Sequence, residues 1–287
     1  MEKLEIETEV DSRLISEMTE RAFNVSPEYM RASQNLDNDV AVIILKVHNP
    51  AFATTARSYD IKIWGRTAPE WLSLAFDTCP ITQVECGMEA DILSVVKPHL
   101  TDKAYTAVFY ADTPLITRKT FLSIMDYVKT KRMNVAKLKR GYVFVTDYVK
   151  NATNIYATQS IYCDETDFVP MYNLSDLAVV TDVLHNRIID FHRESGVLIV
   201  DAASTFIDAD VVIGKNVTIY PNNTISGLSV LTDSITLNPG NIIINSKIDA
   251  NSVLTASVVE NSELKPNTVL APFTHVLGGK VQGGTKK

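Results

Sequence analysis

IDADVVIGKNVTIYPNNTISGLSVLTDSITLNPGNII, residues 207–243, places an aliphatic side chain at every sixth position: Ile207, Ile213, Ile219, Ile225, Leu231, Leu237 and Ile243. A helix repeats every 3.6 residues and a strand every two, so neither makes a stride of six. A triangular coil does, with three six-residue sides and one aliphatic side chain per side turned inward. Turn-forming residues, among them Gly214, Asn216, Pro221, Asn222, Pro239 and Gly240, stand between the aliphatic positions, where corners fall. The phase slips once before Ile248 and Leu254, and again before Leu264, Leu270 and Val276. This is the hexapeptide pattern of a left-handed parallel β-helix. Stacked coils bury their apolar sides against neighbours only. Outward aliphatics such as Val217 and Ile235 are expected between the inward positions. Prisms of this kind pack side by side in threes, so a homotrimer is expected.

Upstream of the repeat, strand-length apolar runs alternate with helical patterns. Val40–Leu45 is a continuous apolar run, suited to a parallel strand buried on both faces, and Ala104–Tyr110 reads as a second buried strand. Thr67–Phe76, Glu89–Val96 and Thr117–Lys131 read as helices, and Gly141–Val145 as a strand. Leu174–Ser195 reads as a long helix running into the repeat. The alternation predicts a small Rossmann-like α/β domain with a mainly parallel sheet, so the fold class is α/β followed by all-β. The expected division is a helical N-terminal arm over 1–38, capped at Asp11 or Ser12, the α/β domain over 39–172 and a linker helix over 173–196. The β-helix follows over 197–277, and a flexible tail over 278–287. In such sheets ligands gather at the carboxyl ends of strands. Asp112 stands there, just past Phe109 and Tyr110. Its carboxylate suits Mg²⁺ with waters completing the shell, or it begins a turn ahead of Pro114.

The 287 residues carry 27 Lys and Arg against 34 Asp and Glu, a net charge of −7. That balance disfavours binding to a nucleic-acid backbone. No apolar run approaches the ~20 residues of a membrane span. The acidic start, MEKLEIETEVDS, lacks the apolar core of a signal peptide. Cys79, Cys86 and Cys163 show no CxxC spacing, so reduced thiols and a cytoplasmic location are expected, with no zinc site. A loop bringing Cys79 and Cys86 together is the alternative to a pair of separate buried thiols. His48, His99, His185 and His192 are scattered and read as surface or helix-packing residues.

Two segments carry a resemblance. One is the joint, His185 to Asp201 followed by Thr205 to Gly214; the other is Tyr110-Ala-Asp-Thr-Pro-Leu-Ile116. Both resemble the bacterial bifunctional N-acetylglucosamine-1-phosphate uridylyltransferase/glucosamine-1-phosphate acetyltransferase family. The resemblance covers roughly residues 40–277 and is strongest in the C-terminal half. It implies a nucleotidyltransferase-type domain joined by a helix to a β-helix, with Mg²⁺ held by Asp112 and Asn173. It implies further that Lys62 lies near the transferring phosphate, that Glu85 and Gly87 stand at the base-reading position, and that Gly141 is a remnant of the sugar site.

The departures from the family are as informative. Its glycine-rich phosphate loop corresponds here to Lys46–Arg57, which contains no glycine. Close approach of backbone to pyrophosphate normally needs glycine. Glu85 and Met88 replace an amide and a hydroxyl, so the base-reading hydrogen bonds change. The sugar-binding stretch is largely deleted between Tyr127 and Gly141, and the chain stops where the acetyltransferase site would begin. Two readings stay open. One is a catalytically degenerate, trimeric structural or ligand-binding module related to UDP-N-acetylglucosamine pyrophosphorylase, with a nucleotide or sugar nucleotide as ligand and no cofactor. The other is an active Mg²⁺-dependent sugar-1-phosphate nucleotidyltransferase. A hexapeptide acyltransferase is a distant third, for which the repeat supplies only His275.

Overall fold

The computed structural model describes residues 37–48, 52, 57–76, 78–155, 161 and 166–282. Almost all of the expected N-terminal arm, most of the glycine-free loop and Cys163 lie outside the described residues. The chain divides into two compact units between residues 183 and 184.

The first unit is built on strand β1 (Val40–Val47), helix α1 (Ala68–Ser73), β2 (Ile81–Cys86), α2 (Ile92–Val96), β3 (Tyr105–Tyr110), α3 (Arg118–Thr130), β4 (Val135–Leu138) and β5 (Gly141–Val145). The sheet order is β2-β1-β3-β5-β4. β1 pairs in parallel with β2 and β3, and β5 runs antiparallel to both β3 and β4. Side chains alternate across a strand, so β1 feeds two cores. Val40, Val42 and Ile44 join Phe76, Phe109 and Phe121 on one side. Ile43 and Leu45 join Val96, Val108 and Phe144 on the other. The three phenylalanines of the first core pack ring against ring, with centroids 4.7, 4.8 and 6.1 Å apart. Thr67 and Glu70 form a capping box at the start of α1, and Thr117 Oγ1 accepts from Thr120 N–H at the start of α3.

Two strands escape a reading of apolar runs. β2 is half exposed and carries Gln83 and Glu85, and β4 is only four residues long. β2 also separates the two thiols. Cys79 precedes it and Cys86 ends it, so seven steps of ~3.3 Å hold them roughly 20 Å apart. The loop that would join them does not exist, and both are free cysteines.

Helix α4 (Thr146–Asn151) follows β5, and α5 (Leu174–Glu194) leads into the second unit. Gly196, at φ 94°, ends α5. Val197 N–H donates to His192 O and Gly196 N–H to Arg193 O, each at 3.0 Å. These are the two bonds of a Schellman stop, for which glycine is the favoured residue.

The second unit is the left-handed parallel β-helix of hexapeptide repeats. Inward residues stack in three columns. The first is Ile199, Ile219, Leu237, Leu254 and Leu270; the second is Ile207, Ile225, Ile243, Val259 and Val276. The third is Ile213, Leu231, Ile248 and Leu264. Val259 is the rung hidden by the phase slips. The sides 243–248, 254–259 and 259–264 are one residue short, and each turns through a residue with φ near 45°: Asn245 (45°), Ala256 (42°) and Asn261 (45°). The six-residue corners use larger values, such as Asn216 at 58° and Asn222 at 62°.

Val217 and Ile235 are not outward. Both are fully buried, as is Val211, because the residue just past a corner turns inward and fills the prism's angle. At other corners the filler is polar. Asn223 Oδ1 accepts from Asn241 Nδ2 at 2.8 Å, and Asn241 Oδ1 from Ser257 N–H at 3.0 Å, so the buried amides are satisfied coil to coil. The expected flexible tail over 278–287 is altered where it is described: Lys280–Gln282 turns back and pairs antiparallel with His275–Leu277.

Candidate functional site

The carboxyl ends of β1, β2 and β3 lie side by side. The chain goes from β1 to β2 on one flank and from there to β3 on the other, so β1/β3 is the switch point where open α/β sheets collect ligands. A cleft of about 120 Å³ opens there. β1 contributes Leu45 and Val47, and Cys86, Gly87 and Met88 close the end of β2. Ile92 and Val95 of α2 form another wall, and Tyr110 and Arg140 complete it. Burial pushes the Cys86 thiol up, which keeps it protonated. Burial, the largest influence, also raises the Tyr110 hydroxyl.

Arg140 reaches this place through strand register. It is the second residue of the two-residue turn between β4 and β5, and Gly141 pairs with Phe109. The residue before Gly141 therefore stands beside Tyr110 and the Asp112 turn. Gly141 is what permits this close pairing: at φ 137°, a Cβ there would lie 2.3 Å from the Val108 carbonyl oxygen. The glycine serves the sheet, and no ligand is needed to explain it.

Arg140 Nε donates to Asp112 Oδ1 at 2.8 Å and to Oδ2 at 3.1 Å, and Nη2 donates to Oδ2 at 2.5 Å. The guanidinium lies 4.2 Å from the Tyr110 ring centroid and 5.1 Å from that of Tyr172. Met171 N–H donates to Asp112 O at 2.8 Å, which brings the second tyrosine to the pair. Desolvation works against the Arg140 charge, but the hydrogen bonds and charge of Asp112 outweigh it and hold its pKa above the usual arginine range.

The remaining predicted residues separate. Asn173 Oδ1 accepts from Ser175 N–H at 2.8 Å and Asp176 N–H at 3.0 Å, capping α5. Glu85 lies in register with Lys46 on β1, bonds to it at 3.4 Å and accepts from Arg57 Nη1 at 3.0 Å. The Lys46 bond, first among its causes, holds the Glu85 carboxyl below its ordinary range. Gly87 lines the cleft. Lys62 is exposed on a short hairpin with Arg66 and Thr67, where its charge bears on Glu70. In the β-helix, His275 Nε2 meets Glu260 Oε2 at 3.0 Å.

These residues do not fit a Mg²⁺ ion. Such an ion takes a carboxylate oxygen directly, whereas both oxygens of Asp112 are held by a guanidinium and the Asn173 oxygen is spent on two backbone donors. Arg140, Tyr110 and Tyr172 escaped the sequence reading. The only signal was an arginine directly before Gly141.

No protein-family model matches the chain. This chain is similar to bifunctional protein GlmU. Segments of it are 30% identical over 134 residues to GlmU of Clostridium beijerinckii, and 36% over 100 residues to that of Clostridium kluyveri. A longer match, to GlmU of Acetivibrio thermocellus, is 24% identical over 261 residues. The matches cover 45%, 35% and 68% of this chain but only 30%, 22% and 57% of those GlmU relatives. The resemblance to that family is thus borne out at the level of sequence. Among solved structures, PerB from Caulobacter crescentus in complex with CoA and GDP-perosamine matches 85% of this chain and 97% of its own. At 10% identity and a TM-score of 0.21, that superposition is too loose to carry an argument. No helix among the described residues is long and apolar enough to cross a membrane.

Proposed function

We propose that this protein is a non-catalytic relative of GlmU, in which the α/β unit has lost Mg²⁺-dependent nucleotidyl transfer and serves as a ligand-binding or structural module on a trimeric β-helix. The observation that carries the proposal is the Arg140–Asp112 pair. The carboxylate that the resemblance assigns to the metal already has a cation, fixed by three hydrogen bonds under two tyrosine rings. Nucleotidyl transfer depends on positioning and on electrostatic stabilisation of the phosphate. The glycine-free stretch Lys46–Arg57 and the paired Glu85 weaken the same function from the other side of the sheet.

The three faces of the β-helix bear on the assembly. The outward rungs of one are Leu198, Thr218, Thr236, Val253 and Val269; of the next, Phe206, Thr224, Ile242, Val258 and His275. The third carries the ion pairs of Lys247 with Asp249 and of Lys265 with Glu263. The third face also opens on Val212 and Val230, and the second closes on the His275–Glu260 pair, so the first face is the one without charge and suits contact with further copies of the chain.

The test is pyrophosphate release from UTP and N-acetylglucosamine-1-phosphate with Mg²⁺, alongside calorimetric titration with Mg-UTP. The expected outcome is no turnover and no Mg²⁺-dependent heat. Turnover above about one per second, at the low end of ordinary enzyme rates, would restore the transferase reading.

A further inference from the structure

Arg140 gives the cleft a polar edge. Nε and Nη2 of Arg140 are committed to Asp112, while Nη1 makes no hydrogen bond to any described residue. The tyrosine rings cover the guanidinium, so a ligand meets it edge-on as a hydrogen-bond acceptor. Leu45, Val47, Ile92 and Val95 supply the apolar part of the lining, with Met88 exposed beside them, and Tyr110 and the Cys86–Gly87 strand end lie next to Arg140.

Size and charge narrow the occupant. The volume is about 120 Å³, close to the roughly 150 Å³ of an engineered apolar cavity that takes up benzene and far under the ~300–1,000 Å³ of ordinary ligand pockets. One ring or a short chain fills it. The charge of Arg140 is already neutralised by Asp112, so an anion gains little attraction and meets the carboxylate nearby. A neutral acceptor gains a charge-assisted hydrogen bond without that repulsion.

We infer that the cleft at the carboxyl ends of β1, β2 and β3 binds a small uncharged molecule, an apolar body of about one ring bearing one carbonyl, whose oxygen accepts from Arg140 Nη1. The inference rests on the non-catalytic reading, since it keeps Arg140 on Asp112 and needs no metal.

Benzamide, toluene and benzoate serve as probes of the full chain, titrated by ligand-observed NMR. Benzamide is expected to bind better than toluene and benzoate, equally with Mg²⁺ and with a chelator. Arg140→Met is expected to weaken benzamide about tenfold, the worth of one hydrogen bond to a charged group, and to leave toluene within twofold. Val95→Phe, which fills the space without touching the ion pair, should weaken both. Tryptophan emission checks that each variant is folded. Benzoate binding as well as benzamide, or Val95→Phe leaving benzamide unchanged, overturns this inference alone. Mg²⁺-dependent UTP binding that displaces benzamide would instead overturn the non-catalytic reading beneath it.

Discussion

Removing either partner of the Arg140–Asp112 pair leaves the other charge partly stranded. Breaking a fully buried pair costs ~3–5 kcal/mol, and an exposed pair is worth ~0–1. Here the Asp112 side chain is 10% and that of Arg140 23% exposed, so the pair lies near the buried limit. Asp112→Asn keeps the shape and one acceptor, and about 2–3 kcal/mol of destabilisation is expected. Arg140→Met should cost about 3, because it also gives up stacking on Tyr110 and Tyr172, worth about 0.5–1 kcal/mol per ring. The double variant strands neither charge, so it should fall short of the sum by about 2 kcal/mol, the signature of direct coupling. Urea unfolding followed by tryptophan emission reads this cleanly. The only two tryptophans of the chain, Trp64 and Trp71, both lie in the α/β unit. Their indole N–H groups donate to Thr181 O and Ile63 O, each at 2.8 Å, and both bonds are lost when that unit unfolds. Additive single variants, with coupling under about 0.5 kcal/mol, would refute the pair as an energetic unit. So would a wild-type stabilisation by Mg²⁺ that vanishes in Asp112→Asn, because the carboxylate would then be a metal ligand.

Light scattering of the whole chain at micromolar concentration should return a trimer, and Val253→Arg on the uncharged face should shift it to monomer; a monomeric wild type sinks the assembly. Gly141→Ala should cost about 2–4 kcal/mol in the tryptophan-monitored transition, since the new Cβ meets the Val108 carbonyl at 2.3 Å in a backbone conformation that disfavours side chains; a loss under 1 kcal/mol would mean the strands part easily. His192 is 2% exposed, and burial brings its pKa from 6.5 down to about 4. Above pH 6.5 neither state holds the proton. Below it the unfolded chain takes a proton that the folded chain refuses, so stability falls by about 1.4 kcal/mol per pH unit, about 3 in all by pH 4. Circular-dichroism melts between pH 7.5 and 4.5 should show this slope in wild type and lose it in His192→Leu; the same slope in both would assign the acid sensitivity elsewhere.

The β-helix was legible because a solenoid is nearly one-dimensional. Which side chain faces inward depends on position along a short stride, and the contacts that reward it come from the next coil of the same pattern. The same locality made the long helix that runs into the repeat readable. The pattern failed where one backbone angle decided the count: φ near 45° at Asn245, Ala256 and Asn261 shortened three sides, hid Val259 as a rung, and left the corner fillers Val217 and Ile235 looking like surface.

The cleft belongs to the other kind of information. Asp112 could be placed at a strand end from its apolar run alone, and it stands there. Its chemistry was set by Arg140, 28 residues away, delivered by the antiparallel return of β5 beside β3 and by the register that pairs Gly141 with Phe109. No spacing in the sequence marks that contact, because a one-residue slip of β5 would send the arginine to the other face of the sheet. The sequence alone determined two architectures and the position of a carboxylate. Only the tertiary structure decided that a guanidinium holds this carboxylate, because long-range strand pairing chooses which charges meet.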